Sequence, residues 1–293
     1  MTDRTQYVTV DTFSSEIRKS PQCSVMQGSK LSALLYTIYT NEITNLHKIM
    51  NDDIYTKMTK HEKINFNDTD HITINYVDDS TNIISSFDHE HLQEYINKFY
   101  LLLEAYYNIN YLKINADKSK LLITCKPRYR TIIKDIKLTA STYIIDQSQK
   151  IKILGIFFNS GLDNTPNVTN IIKKVNYRMI VLNNIIKFTN IKTSLILYNS
   201  LVISVFNYCL SNIININVKQ ISNLNTLLMK CAHKILGFKS YRMNTINILK
   251  ELNWLSMSQM ITFSAIKIIH KITYESVPPA LTQYFFIIWN DLM

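Results

Sequence analysis

Glycine and proline are scarce in this sequence, which contains only 4 Gly and 5 Pro among its 293 residues. Because these two residues mark most turns and helix breaks, a chain so poor in them is expected to form long helices. After residue 163 the apolar spacing is helical to the end, starting at Thr165-Pro166. The sequence therefore predicts a helical domain over residues 164–293. Short breaks are predicted at Asn190, at 215–219 and at 237–243.

Residues 1–163 mix strand and helix patterns. Alternating apolar residues predict a β-hairpin over His71–Ser86, and an amphipathic helix follows over His91–Tyr107. A shorter helix is predicted from Leu31. This order predicts an α+β chain, in which an antiparallel sheet with helices precedes the all-α domain. Further strands are predicted at Leu121–Thr124 and Ile151–Phe158.

Charge is distributed unevenly along the chain. Residues 1–105 carry 9 Lys/Arg and 15 Asp/Glu (net −6), residues 106–163 carry 10 and 4 (net +6), and residues 164–293 carry 13 and 3 (net +10). An acidic part followed by a basic part suggests a metal site attached to a surface that binds a polyanion. The alternative is an ordinary solvated basic face, and charge alone gives the two interpretations about even odds.

Cysteine spacing and hydropathy argue against several other classes of protein. The cysteines lack the spacing of a zinc site, so a reduced intracellular setting, nuclear or cytoplasmic, is expected. Met1 to Val10 lack the apolar core of a secretory signal, so secretion is not expected. No membrane span is predicted, because the most apolar run, Leu201–Leu210, contains polar side chains. The four cysteines are Cys23, Cys125, Cys209 and Cys231.

Two adjacent carboxylates, Asp78 and Asp79, are predicted at the turn of the hairpin, directly after Tyr76. Transfer of a nucleotide needs two divalent metal ions about 4 Å apart. Mg²⁺ uses one or two protein carboxylates together with substrate phosphates, so this pair is a candidate Mg²⁺ or Mn²⁺ site. The alternative is that Asp-Asp merely suits a turn.

Three further segments contain candidate site residues. Gln27, Gly28 and Ser29 open a helix, where Gly28 allows close approach of a ligand and Ser29 could cap the helix. Lys118 could neutralise a triphosphate or protonate departing pyrophosphate. Gly155 lies in an apolar strand, where another backbone could come close. Taken singly, each segment has a plain structural alternative: a loop-to-helix turn, a solvated loop and a core strand.

These four segments, in this order, resemble reverse transcriptases of the non-LTR (LINE-like) retrotransposon branch. Arg4-x-Gln6-x-Val8, before Gln27, is also similar to that branch. The resemblance implies a partial polymerase palm over 1–163 and a thumb over 164–293. It also implies an RNA template, a DNA primer and deoxynucleoside triphosphates as partners.

The resemblance also implies roles for the candidate residues. Asp78 and Asp79 would hold the metal ions, Tyr76 would line the site near the primer end, and Lys118 would be the proton donor or phosphate partner. Residues that would contact nucleotide, template or primer are Gln27, Gly28, Ser29 and Gly155.

The sequence departs from the family pattern before Gln27. Members of the family have a first catalytic aspartate on an upstream strand, and Asp3 and Asp11 look like turn residues instead. The resemblance thus implies an upstream polypeptide that supplies the fingers and the first palm strand. Two alternatives remain: an inactive remnant that binds nucleic acid through its basic helices only, and a maturase-like splicing factor, which the last third of the chain resembles less.

Overall fold

The computed structural model describes residues 5–6, 9–10, 13–16, 18–19, 31–50, 69–126, 138–139, 144–145, 147–210, 216–237, 242–274, 277 and 282. The chain divides into two compact units, Met1–Ser148 and Gln149–Met293. The boundary between the units lies before the domain boundary predicted at residue 163. The reason is that a β-hairpin over residues 150–159 packs with the helices that follow it.

The first unit alternates short strands with helices. Its strands pair two by two and antiparallel, as β1 with β4, β2 with β3, β5 with β6, and β7 with β8. A 3-10 helix, Asn41–Asn45, joins the first two helices. In chain order the elements are β1 (Thr5–Gln6), β2 (Thr9–Val10), β3 (Phe13–Ser14), β4 (Arg18–Lys19), α1 (Ser32–Tyr39), α2 (Leu46–Ile49), β5 (Thr69–Tyr76), β6 (Asp79–Ser86), α3 (His89–Ile109), β7 (Leu138–Thr139) and β8 (Ile144–Ile145).

The second unit is one antiparallel hairpin followed by helices. A 3-10 helix, Ile186–Phe188, and a π-helical turn, Asn199–Ile203, interrupt the helices. In chain order the elements are β9 (Lys150–Ile153), β10 (Ile156–Asn159), α4 (Thr165–Ile185), α5 (Ile191–Tyr198), α6 (Ser204–Leu210), α7 (Val218–Leu236), α8 (Thr245–Glu251) and α9 (Met257–Tyr274).

The predicted α+β class is confirmed, with mostly helical structure and antiparallel strands. Among the described residues, however, the strands form two-stranded sheets rather than one larger sheet. The strand predicted at Leu121–Thr124 is wrong, since Leu121 makes only an isolated bridge to Gln147. The single strand predicted over Ile151–Phe158 is also wrong. A turn at Leu154-Gly155 folds it into the hairpin of β9 and β10.

Helix α3 organises the core of the first unit. The Asp88 side chain caps its start by accepting from the Glu90 amide over 2.9 Å. The predicted apolar face is confirmed, and Leu102 is fully buried within it. Burial of each such side chain stabilises the fold by about 1.5–3 kcal/mol. The buried residues of α3 are Tyr95, Ile96, Phe99, Tyr100, Leu102, Leu103 and Tyr106.

Helix α1 forms where the apolar spacing predicts, but its apolar side chains are not buried. No residue of α1 is buried, and Leu34 and Ile38 are 57% and 65% exposed. Leu46 of α2, by contrast, is buried in the core. The hydrophobic period therefore predicted the helix correctly, and it carried no information on what the apolar face contacts.

Polar side chains join the β9–β10 hairpin to α4. The buried Asn167 side chain accepts from the Phe157 amide and donates to the Phe157 carbonyl, both over 2.8 Å. The Asp163 carboxylate accepts from the Thr165 amide over 2.8 Å and from the Asn159 side chain over 2.6 Å. Hydrogen bonding with the Thr165 side chain has the largest effect in lowering the pKa of Asp163, followed by the bonds from Asn159 and from the Thr165 amide. They connect the strand to the predicted helix start at Thr165, which is confirmed.

A large apolar core fills the second unit. Fully buried residues from separate helices meet there, among them Leu182 of α4, Phe206 of α6 and Leu224 of α7. The indole of Trp254 donates to the Asn199 side chain over 2.8 Å, which ties the segment after α8 to the π-helical turn. In that same turn, the Leu201 carbonyl accepts from Arg178 of α4.

The helical stretch Ile191–Leu210 includes the apolar run Leu201–Leu210 and extends it towards the N-terminus. It is 20 residues long, and by length and composition alone it could cross a membrane, with 44% of its most apolar window buried inside the protein. The sequence analysis missed it because Ser204 and Asn207 interrupt the apolar run without interrupting the helix. Its buried residues, including Tyr198 and Phe206, belong to the apolar core, which accounts for its apolar character.

Candidate metal and nucleic-acid site

The predicted carboxylate pair lies at the tip of the β5–β6 hairpin. Tyr76 pairs with Asp79 across the hairpin, so Val77 and Asp78 form a two-residue turn. Val77 has a φ of 54°. A positive φ at the first central position is typical of a type II′ turn, where glycine is preferred. The two aspartates are therefore adjacent at an exposed, sharply turned end of the hairpin.

A valine with positive φ is a strained residue. The branched side chain makes this conformation costly, by about 1–3 kcal/mol. Such strain persists only where the surrounding structure imposes it, and it is concentrated at functional sites. Leu154, at the β9–β10 turn, also has a positive φ, of 46°, so this strain alone does not distinguish a functional turn from a structural one.

The two carboxylates are available to bind a cation. Asp78 and Asp79 are exposed, and neither has a hydrogen-bond or ion-pair partner among the described residues. Mg²⁺ takes one or two carboxylates and completes its shell with water and phosphate oxygens. The pair fits such an ion as a partial ligand set. In the described part of the chain, no group of three or more His, Cys, Asp or Glu could hold a metal.

Tyr36 of α1 lies close enough to Asp78 to feel its charge, and Tyr106 and Tyr107 of α3 lie near Tyr36. Burial, and secondarily the negative charge of Asp78, raises the pKa of Tyr36. Burial also raises the pKa of Tyr107 to about 12, with smaller contributions from Tyr36 and Tyr106. The Tyr39 hydroxyl donates to the Asn110 carbonyl over 2.7 Å. Helix α1 thus brings Tyr36 to the carboxylate site, which the sequence analysis missed because Tyr36 fell within a plain helical pattern.

A polar network fixes the inner face of the hairpin on α3. His71 bonds through Nδ1 to the Tyr95 hydroxyl (2.9 Å) and through Nε2 to Asn82 Oδ1 (3.1 Å). Thr73 donates to the same Asn82 oxygen over 2.7 Å. Burial, the largest effect, lowers the pKa of His71 to about 4, with a further lowering from His47. The His71 side chain is therefore bound in this network as the neutral imidazole.

The outward face of the same hairpin is apolar. Ile74 and Ile83 are 53% and 51% exposed, and Tyr76 lies on the same face, nearest the turn. The usual alternation is thus inverted, with polar residues against α3 and apolar residues outward. An outward apolar face is typical of a surface that contacts another part of a protein.

Lys118 lies on a turn that Asn115 organises. The Asn115 side chain accepts from the Lys118 amide over 3.2 Å, and the Asn115 carbonyl accepts from the Ser119 hydroxyl over 2.8 Å. The Lys118 side chain is exposed, and it has no ion pair with either aspartate among the described residues. The spacing Asn115-x-x-Lys118 therefore has a structural cause, which is the closure of this turn.

Gly155 lies in the second unit, at the turn between β9 and β10. It has a φ of 90° and follows Leu154 with a φ of 46°, as in a type I′ turn. The Tyr208 hydroxyl of α6 donates to the Leu154 carbonyl. A Cβ atom on Gly155 would lie 3.5 Å from the Tyr208 ring. Gly155 is therefore a turn residue approached by an aromatic side chain, not the strand residue beside another backbone that the sequence analysis expected.

The remaining predicted residues, Gln27, Gly28 and Ser29, lie outside the described residues. The sequence carried no signal of the contact between Tyr208 and the turn at Gly155.

The helices of the second unit carry many exposed cations. They contrast with Glu251, the one acidic residue among the described residues of 164–293. Exposed lysines at high density are what binding to a phosphate backbone requires. The exposed lysines are Lys173, Lys174, Lys187, Lys192, Lys219, Lys230, Lys234, Lys250, Lys267 and Lys271.

Comparison with known proteins adds no assignment. No protein-family model matches this chain, no curated protein matches it, and no solved structure matches it.

Proposed function

We propose that the chain is a palm-and-thumb fragment of an RNA-directed DNA polymerase of the non-LTR retrotransposon type. The observation that carries the proposal is the hairpin tip, where the Asp78 and Asp79 carboxylates lie exposed and have no hydrogen-bond or ion-pair partner among the described residues. A strained turn with two unpaired carboxylates has no evident benefit to stability. It suits a site in which the carboxylates bind a ligand.

Asp78 and Asp79 would hold Mg²⁺ or Mn²⁺. When bound, such an ion supplies activation of a primer 3′ hydroxyl and stabilisation of the leaving phosphate. Tyr76, on the outward face beside the turn, would contact the primer end. Lys118, exposed on its own turn, would meet the triphosphate as a cation or proton donor.

Full catalysis needs another carboxylate besides this pair. We infer that a further polypeptide segment of the palm supplies it, beyond the residues described above. The outward apolar face of the hairpin and the exposed apolar side chains of α1 support this inference, because a neighbouring strand would bury them.

The second candidate function is nucleic-acid binding without catalysis. The exposed lysines of the helical unit favour it, because they need no partner to bind a phosphate backbone. If this alternative holds, the Asp78 and Asp79 carboxylates are the remnant of a catalytic site that no longer works.

Primer extension on an RNA template, with Mg²⁺ and then Mn²⁺, tests the polymerase proposal. We expect extension when a polypeptide that carries the further palm carboxylate is added to the chain, and its loss when the chain carries Asp78→Asn. Asp70→Asn is the matched control, because Asp70 is exposed on β5 at the other end of the same hairpin. Extension that survives Asp78→Asn would refute the metal site. Salt-sensitive binding of the RNA–DNA duplex without extension would instead support the binding-only alternative.

A further inference from the structure

The second unit contains a surface cleft of about 500 Å³ at one end of its helices. The end of α4, the 3-10 helix after it, the start of α5 and the end of α7 form its walls. Its apolar surface comes from isoleucines, and its polar groups are two lysines, two hydroxyls and one amide. The lining residues are Asn183, Ile186, Lys187, Thr189, Ile191, Ser194, Lys234 and Ile235.

The cleft is positively charged and contains no acidic lining residue. Lys187 and Lys234 are exposed, and neither forms an ion pair with a carboxylate of the described residues. Two lysines that line one cleft without a carboxylate give it a positive potential, and a bound anion would lower the repulsion between them. The cleft therefore favours an anionic ligand.

Polar groups at the floor of the cleft suit the same ligand. The Thr189 and Ser194 hydroxyls lie 2.8 Å apart, and the Ser194 side chain is buried. Helix α5 begins at this cleft, capped by Asn190, and a helix start attracts negative charge.

An exposed stripe along α4 leads to the cleft. Its residues follow one another at intervals of four, three, four and three, so they share one face of the helix. All are exposed, and Tyr177 is 69% exposed. From first to last the stripe spans about 20 Å at 1.5 Å per residue. Its residues are Lys173, Tyr177, Ile180, Asn184 and Lys187.

We propose that the cleft binds a backbone phosphate of a nucleic acid lying along α4, with Lys187 and Lys234 on either side of the phosphate. The exposed Tyr177 contacts a sugar or base of the same strand, as aromatic residues do in nucleic-acid tracks. This inference rests on the proposed function, since it specifies where the helical unit holds the template–primer.

The test compares two double variants of the full chain that lose the same charge. One is Lys187→Ala with Lys234→Ala. The control is Lys219→Ala with Lys250→Ala, two exposed lysines of the same unit that do not line the cleft. The measurement is the dissociation constant for an RNA–DNA duplex at several salt concentrations. We expect the cleft variant to lower the slope of log affinity against log salt by about 1 more than the control.

A charge-preserving variant, Lys187→Arg with Lys234→Arg, is expected to retain wild-type affinity and salt dependence. Equal losses in the cleft variant and the control, with wild-type binding intact, would overturn the cleft inference and leave the proposed function standing. Absence of duplex binding by the wild-type chain at low salt would overturn the proposed function itself.

Discussion

The contact between Tyr208 and the β9–β10 turn shows how one residue controls the position of a hairpin. The turn needs positive φ at both central residues, and only Gly155 adopts its value without steric cost. The Tyr208 hydroxyl donates a hydrogen bond to the carbonyl of Leu154 in the same turn. The backbone conformation of Gly155 is therefore coupled to the docking of the hairpin on α6.

Replacement of Gly155 tests this coupling. We expect Gly155→Val to lower the free energy of unfolding by about 1–3 kcal/mol, because a branched side chain is strained at this φ. Gly155→Asn should cost less, because asparagine tolerates positive φ. Urea unfolding followed by circular dichroism measures both. Equal costs for the two variants would contradict the conformational explanation.

Cys231 and Cys125 should differ in reactivity. Cys231 is fully buried, and burial raises the pKa of its thiol to about 12. Cys125 is only partly buried. Because the thiolate is the reactive form, we expect iodoacetamide at pH 8 to modify Cys125 in the folded chain and Cys231 only after denaturation. Peptide mass spectrometry measures the extent of labelling at both cysteines. Rapid labelling of Cys231 without denaturant would contradict its burial.

The β5–β6 hairpin is unusual because its inner face is polar. The His71 network, rather than an apolar contact alone, attaches the hairpin to α3. Phe99 packs edge-on against the His71 ring, with ring centroids 4.2 Å apart, and the His47 ring lies 5.2 Å away. This part-buried network bonds both ring nitrogens of His71, and it holds the strand pair that leads to Asp78 against α3.

This network predicts a pH dependence of stability. The pKa of His71 is about 4 in the folded chain and about 6.5 when unfolded, so the unfolded state binds more protons between those values. His71 therefore contributes stability fully above pH 6.5, and that contribution is lost as pH falls through this window to about 4. The loss is at most about 3 kcal/mol.

Chemical denaturation at pH 7 and pH 4.5, with His71→Gln as the comparison, measures this effect. We expect the variant to be less stable at pH 7 and to lose less stability than the wild type on acidification. A stability decrease of the same size in both proteins would show that other groups cause it.

Two separate apolar cores stabilise the chain. One surrounds α3 in the first unit, and the other joins the helices of the second unit. Leu102 and Leu224 are each fully buried in one of these cores. Because the two clusters have no residue in common, each unit is expected to unfold with its own transition.

Matched leucine deletions test this independence. We expect Leu102→Ala to destabilise the first unit and Leu224→Ala the second, each by about 2–5 kcal/mol. Differential scanning calorimetry should show each variant shifting a different transition. Ile196→Ala is the control, because Ile196 is 67% exposed and its loss should shift neither transition. A single transition shifted equally by both leucine variants would mean one cooperative domain.

Local patterns were enough to predict several elements correctly. Alternation over His71–Ser86 predicted the hairpin, Thr165-Pro166 predicted a helix start, and the spacing of Ile96, Phe99 and Leu103 predicted the buried face of α3. These features depend on residues within a few positions of each other, so their causes are visible in the sequence. The adjacency of Asp78 and Asp79 at a turn is of the same kind.

Contacts between distant residues could not be predicted in this way. The exposure of the α1 apolar face, the approach of Tyr36 to Asp78 and the docking of Tyr208 on the turn at Gly155 all depend on which surfaces meet. The spacing of apolar residues shows that one face of a helix is apolar, but it does not show what covers that face. Burial depends on contacts in the folded chain. The sequence thus specified the elements and the carboxylate pair. Packing between distant elements determined the surroundings of His71 and the basic cleft.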